Sequence, residues 1–129
     1  ARSPSVRATR SAIVRVVPRI EREEFINIGV LVHAPTRGFL GCALQPDPGR
    51  LAAFAPGLDL EALARHIEAF RAVCDGDPNA GPIARLPLSE RFHWLVAPRS
   101  AVLQTSPVHG GVCEDPAAAL RDLLARRVA

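Results

Sequence analysis

Glu21-Arg22-Glu23-Glu24-Phe25-Ile26-Asn27-Ile28-Gly29-Val30-Leu31-Val32 is the stretch that decides how this chain folds. A dense charge cluster runs directly into an apolar segment rich in β-branched residues, which predicts a turn followed by a strand from Phe25 to His33. One amide, Asn27, lies inside that strand. A buried amide left unpaired costs roughly 1–3 kcal/mol, so Asn27 marks either a structural clamp or a site.

Reading outward from this strand gives a meander. Ile13 to Val17 is a strand that ends near Pro18, and Pro35-Thr36-Arg37-Gly38 is a turn in which Gly38 suits a positive φ. Phe39 to Gln45 then returns as a third strand, and Ala101 to Thr105 reads as a fourth. Asp followed by Pro, as N-cap and first helical residue, signals a helix start. Asp47-Pro48 therefore opens a short helix through Phe54, and Asp115-Pro116 opens a terminal helix burying Leu120, Leu123, Leu124 and Val128. Asp77-Pro78 sits among too many Gly and Pro residues to do the same and is read as a loop.

Asp59 caps a longer helix in which Leu60, Leu63, Ile67, Phe70 and Cys74 form one apolar stripe, stopped by Gly76. Ser89 to Pro98 fits both periods; the reading favoured is a short helix capped by Ser89. Pro107 to Gly111 is read as an irregular loop. The expected fold class is α+β: an antiparallel meander of three strands plus a fourth, with one face covered by three to four helices.

Strand side chains alternate between faces. Strict alternation puts Val14, Val16, Ile26, Ile28, Val30, Val32, Leu40, Cys42 and Leu44 on one apolar, helix-covered face. The other face then collects Ile13, Arg15, Val17, Arg19, Phe25, Asn27, Gly29, Leu31, His33, Phe39, Gly41, Ala43 and Gln45. Its small residues leave a shallow space bordered by Arg15, Arg19, Asn27 and Gln45. Either a ligand occupies that space or another segment, with Phe92-His93-Trp94 the candidate, packs into it and Asn27 satisfies its backbone.

A chain of 129 residues, 48% hydrophobic, suits one globular domain, expected over 11–129. Residues 1–10, with Arg2, Arg7 and Arg10, have no hydrophobic period and are expected to be a mobile basic arm. That arm accounts for the net charge of +3, leaving the body neutral, which makes nucleic-acid binding through the arm and Arg126-Arg127 the weakest functional class. No apolar run approaches membrane-spanning length and no hydrophobic leader is seen, so a cytoplasmic, membrane-free location is expected. Cys42, Cys74 and Cys113 are an odd, widely spaced set that argues against a disulfide framework, and they are read as reduced.

Arg91, His93, Trp94, Arg99, Ser100, Gln104, Ser106 and His109 concentrate polar and aromatic groups near irregular backbone, where binding residues gather. Arg99-Ser100 with Thr105-Ser106 suits a phosphate or carboxylate. The alternative is that Arg99 pairs with Glu23 or Glu24 and holds loop to meander. Metal-ligand spacings, nucleophile turns and phosphate-loop patterns are absent, so neither metal nor cofactor is expected.

Four strings give the chain a family resemblance: Val14-Arg-Val-Val-Pro-Arg19, Arg22-Glu-Glu-Phe-Ile-Asn-Ile-Gly-Val30, Arg91-Phe-His-Trp-Leu-Val-Ala-Pro-Arg-Ser100 and Gln104-Thr-Ser-Pro-Val-His109. From Ser11 to Leu124 the chain resembles an uncharacterised bacterial family, domain of unknown function three-zero-three-seven. The resemblance carries no activity. It implies one partner class, proteins similar to Hip-type toxin kinases, beside which members are often encoded.

The function expected is therefore an accessory or regulatory binding module for a protein partner or an anionic ligand. The candidate ligand-binding residues are Arg15, Arg19, Asn27, Arg91, His93, Arg99, Ser100, Gln104 and His109. The enzymatic alternative is a hydrolase or nuclease that sets Glu21 to Glu24 against His93 or His109, groups that must meet at hydrogen-bond distance.

Overall fold

The computed structural model describes residues 7–19, 22–98 and 101–128. Its centre is the expected meander: β1 (Arg7–Val16) runs antiparallel to β2 (Ile26–Ala34), and β2 antiparallel to β3 (Phe39–Leu44). Gly38 closes the β2–β3 turn at φ 60, a conformation that costs glycine little. On the far side, β4 (Leu103–Thr105) and β5 (His109–Cys113) both pair with β1. A five-stranded antiparallel sheet results, in the order β3-β2-β1 with β4 and β5 end to end along β1.

Two expectations change at this edge. Arg7 to Arg10, assigned above to the mobile arm, belongs to β1, where Arg7 faces Cys113 and Arg10 lies between His33 and Gly110. Pro107 to Gly111 is not wholly irregular, because β5 begins at His109. Both segments escaped notice for one reason: backbone pairing with each other holds them, while β5 is exposed along most of its length and so carries no apolar alternation. Between the two strands the register slips by one residue, since Val14 faces Thr105 whereas Ser11 faces His109. Pro107, which has no N–H, sits at that slip, and Ser106 bridges it. The Ser106 N–H donates to the Ile13 carbonyl at 2.8 Å, and the Ser106 hydroxyl accepts the Ile13 N–H at 2.8 Å.

A second bulge corrects the face assignment. Val14 pairs with Gly29 but Arg15 pairs with Asn27, leaving Ile28 as an extra residue in β2. An extra residue reverses the alternation beyond it. Directly paired residues share a face, so Gly29–Leu44, Leu31–Cys42 and His33–Leu40 lie on one side, and Val30–Ala43 and Val32–Gly41 on the other. Leu31 and His33, placed above on the polar face, are buried on the helix side, and Val30 and Val32 are buried on the opposite one.

Helices cover both faces. α1 (Pro48–Phe54) is capped by the Asp47 carboxylate, which accepts the Gly49 and Arg50 N–H groups at 3.0 and 3.2 Å. α2 (Leu60–Asp75) is capped by Asp59 through the Ala62 N–H at 3.0 Å and ends at Gly76, φ 69. Leu63, Ile67, Phe70 and Cys74 of its stripe are buried, with Val73 beside them. α3 (Leu88–Val96) confirms the helical reading of that segment, but Ser89 is not its cap: Pro87 holds that position without a side-chain bond.

Leu51 of α1, the α2 stripe, and Phe92 and Leu95 of α3 close one core with Val14, Val16, Ile28 and Leu31. Each such burial is worth about 1.5–3 kcal/mol. α4 (Pro116–Arg127), capped by Asp115, lies instead against the other face of β2 and β3, where Leu120 approaches Gly41. Its Leu120, Leu123 and Leu124 are half-buried and Val128 is buried. Thus the sheet carries three helices on one face and one on the other, within the expected α+β class.

Candidate functional site

Asn27 meets α4. Its Nδ2 donates to the Arg127 carbonyl at 3.2 Å, while the Arg50 guanidinium donates to the Val128 carbonyl at 3.4 Å. The last carbonyls of a helix have no partner within it, so these two side chains supply one. Arg15, cross-strand from Asn27, places its guanidinium 3.8 Å above the Phe25 ring, a cation–π contact. The shallow space expected beside Gly41 is therefore filled by α4, not by Phe92-His93-Trp94, whose Phe92 is in the other core. Asn27 performs the clamp's part.

A cleft opens on the α2 side, at the end of the sheet where β1 stops. Pro18 interrupts the strand, and the chain turns with the Arg22 N–H donating to the Arg19 carbonyl at 3.2 Å. Glu23, at φ 56, is the one non-glycine residue with positive φ among the described residues. Strained backbone of this kind costs about 1–3 kcal/mol and gathers at functional sites. Between this turn, the Ala55–Leu58 connection and the first half of α2 lies a cavity of about 360 Å³. Arg19, Arg22, Glu24, Asp59 and His66 provide its polar lining. A second cavity of about 110 Å³, bordered by Trp94 and Gln104, continues from it across the shared residues His66 and Val102.

The carboxylates of the cleft are engaged. Asp59 caps α2, and Glu24 lies 3.6 Å from the Arg22 Nε. Arg19 is exposed and has no ion pair among the described residues. This arrangement offers an open guanidinium and an imidazole to an incoming group.

Of the residues singled out in the sequence, Arg19 borders the cleft and Gln104 the adjoining cavity, with the Gln104 amide donating to the Ala101 carbonyl at 2.7 Å. Arg15 and Asn27 belong to the clamp. Arg91 of α3 lies with its guanidinium against Gly76, at the C-terminus of α2, where a cation complements the helix dipole. His93 is exposed on α3, its ring 6.0 Å from Phe92, and His109 is exposed on β5 opposite Ser11. Ser106, grouped above with the anion-holding hydroxyls, is buried and bonded to strand backbone. Arg99, Ser100 and Glu21 lie outside the described residues.

The histidine that shares the cleft with Glu24 is His66, which the sequence reading passed over. Its signal was positional: one residue before Ile67, at the edge of the apolar stripe and seven residues after the Asp59 cap. By contrast, His109 stands opposite Ser11, five residues along β1 from the Val16–Ile26 pair, about 16 Å at the usual rise of a strand. His33 was also missed as a core residue. It is 2% exposed, its ring stacks 4.6 Å from that of Phe92, and neither ring nitrogen has a partner among the described residues. Burial, then the charges of Arg10 and His93, pushes its pKa down.

No group of three metal-ligating side chains is present among the described residues, and no helix there is long and apolar enough to cross a membrane. Fold and cleft together define a class: a small α+β protein with a bulged five-stranded antiparallel sheet and a cleft with charged groups at its end. The chain belongs to the family described as Protein of unknown function (DUF3037), which matches residues 11–128. No curated protein and no solved structure matches it.

Proposed function

We propose that this protein is a small cytoplasmic accessory module that binds an anionic ligand, presenting a phosphate or carboxylate group, in the cleft beside Arg19 and Arg22. The observation that carries this reading is the state of the cleft's charges. Asp59 and Glu24 are committed to the α2 cap and to Arg22, while the Arg19 guanidinium is exposed and has no ion pair among the described residues. A guanidinium offers a planar fork of donors that matches a carboxylate or phosphate bidentately. His66 and Gln104 extend the donor set into the adjoining cavity.

Thermal melting of the full chain across a panel of phosphates, nucleotides and dicarboxylates tests this reading. At least one anion raises the melting temperature of the native chain. Arg19→Ala weakens that anion's binding by about 1.5–3 kcal/mol, roughly ten- to a hundredfold. A panel without effect, or an effect that survives Arg19→Ala together with Arg22→Ala, refutes it.

A protein partner is the second reading, favoured by β5. That strand pairs with β1 and with no other strand among the described residues, and Val108 and Val112 beside its open edge are 41% and 71% exposed. An open edge of low charge accepts a strand from another chain. Mixing the chain with the kinase-like protein that the resemblance implies tests it: the complex forms with the native chain and is lost with Val112→Lys.

A further inference from the structure

The described cysteines are three free thiols, on three different elements. Cys42 sits on β3, and its pairing with Leu31 turns it to the face that carries α2. Cys74, near the end of α2, is 1% exposed and belongs to the core cluster against which Cys42 packs. β3 and α2 pack against each other, so both thiols face the same core, and each perturbs the acidity of the other. Cys113 stands on β5, beyond β1 and β2 in the sheet, about 14 Å from β3 at the usual strand spacing.

We propose that Cys42 and Cys74 form an oxidation site, a dithiol that a peroxide-class oxidant converts reversibly into a disulfide tying β3 to α2. Exposure divides the roles: half-buried Cys42 is open to a small oxidant, and Cys74 is shielded from it. The same division follows from acidity. Cys74's hydrogen bond favours the Cys42 thiolate, with Arg71 assisting against burial and Asp75. That hydrogen bond, then burial, pushes the Cys74 thiol up, so Cys74 keeps its proton. A thiolate is the nucleophile in such chemistry.

In the first step the Cys42 sulfur attacks one peroxide oxygen. The O–O bond breaks, an S–O bond forms, and the departing alkoxide or hydroxide takes a proton. Cys42 is then a sulfenic acid, oxidised by two electrons, and the peroxide is reduced to an alcohol or water. In the second step the Cys74 sulfur attacks the Cys42 sulfur, the S–O bond breaks, the S–S bond forms, and water leaves with the Cys74 proton. One peroxide is consumed and one disulfide made. A thiol reductant reverses the change. The bond ties β3 to the helix whose other end lines the cleft.

The test uses the full chain, fully reduced and then treated with hydrogen peroxide at a stoichiometric amount. The expected product has lost two hydrogens by intact mass. On digestion it yields a peptide joining Cys42 to Cys74, its melting temperature is raised, and dithiothreitol restores the starting mass and melting point. Cys113→Ser leaves all of this unchanged. Cys74→Ser stops Cys42 at the sulfenic acid, which dimedone labels; if that variant does not fold, the peptide map of the native chain decides alone. Three results overturn the proposal: Cys42 carried to sulfinic acid with Cys74 still a free thiol, disulfide-linked dimers through Cys113, or no oxidation under conditions that oxidise a model cysteine peptide.

Discussion

Asn27 shows how one side chain satisfies two demands of a sheet packed on both faces. β2 must carry the apolar residues that α4 covers, and the last carbonyls of α4, which have no partner within the helix, still need donors. An amide at position 27 donates to the Arg127 carbonyl and stays short enough to lie beneath the helix end. Removing it in Asn27→Ala is expected to cost about 1 kcal/mol, the ordinary net value of one hydrogen bond, measured by urea unfolding. Ser106 is placed under tighter constraint. Ser106→Ala leaves the Ile13 N–H without its acceptor in a part-buried position, and the expected loss is about 1–3 kcal/mol.

His33 makes stability depend on pH. Its folded pKa is lowered, whereas in the unfolded chain it stays near the ordinary 6.5. Well above 6.5 the imidazole is neutral in both states and its burial carries no protonation penalty. Below 6.5 the unfolded chain takes the proton first, so stability falls as pH drops toward the lowered folded value and levels off beneath it. Urea midpoints measured on either side of 6.5 check this: the native chain loses more stability on acidification than His33→Phe, which keeps an aromatic ring against Phe92.

At the scale of elements, the outcome turns on where local signals were sufficient. Asp47, Asp59 and Asp115 each announced a helix by side chain, and each carboxylate accepts the N–H groups that such a cap supplies. The meander was legible because three apolar runs are separated by a charged turn and a Gly turn. The faces were not, because one extra residue at Ile28 reverses the parity of everything after it in β2. Nothing in the apolar run from Ile28 to Val32 marks which residue is surplus. Only packing decides: glycine is the residue that the close approach of β3 permits at position 29. A Cβ there would lie 2.6 Å from the Ala43 carbonyl oxygen.

Gly29→Ala is therefore expected to destabilise by about 1–3 kcal/mol, the usual range for overpacking a tight site. Gly111→Ala, whose new Cβ would meet the Thr9 hydroxyl at 3.6 Å, is expected to stay within about 0.5 kcal/mol. Chemical denaturation of the two variants side by side separates a bulge that needs glycine from a strand that tolerates alanine. β5 escaped the sequence reading because its residues are exposed; its order comes from pairing with the first five residues of β1, Arg7 to Ser11.

Across the whole molecule, the division of helices explains where a cleft is able to form. α4 fills the face that holds Asn27, and α2 and α3 fill the face that holds Leu31, so both faces of β2 and β3 are covered. Open polar space remains at the end of the sheet, where Pro18 stops β1 and the chain turns through Arg19 to Glu24. Arg19 and the charged turn were read as bordering the face that α4 covers, whereas Arg19, Arg22 and Glu24 line this space. His66 was not legible, because a residue beside an apolar helical stripe gives no sign of which neighbouring loop it faces.

The most direct test follows backbone amide resonances of the isotope-labelled full chain as inorganic phosphate, then a nucleoside monophosphate, is added. Saturable shifts are expected for Arg22 to Glu24, Gly57 to His66 and Val102 to Gln104, weakening with salt and lost in Arg19→Ala. Shifts confined to β5 and the start of β1, or none at millimolar ligand, would contradict an anion-binding cleft.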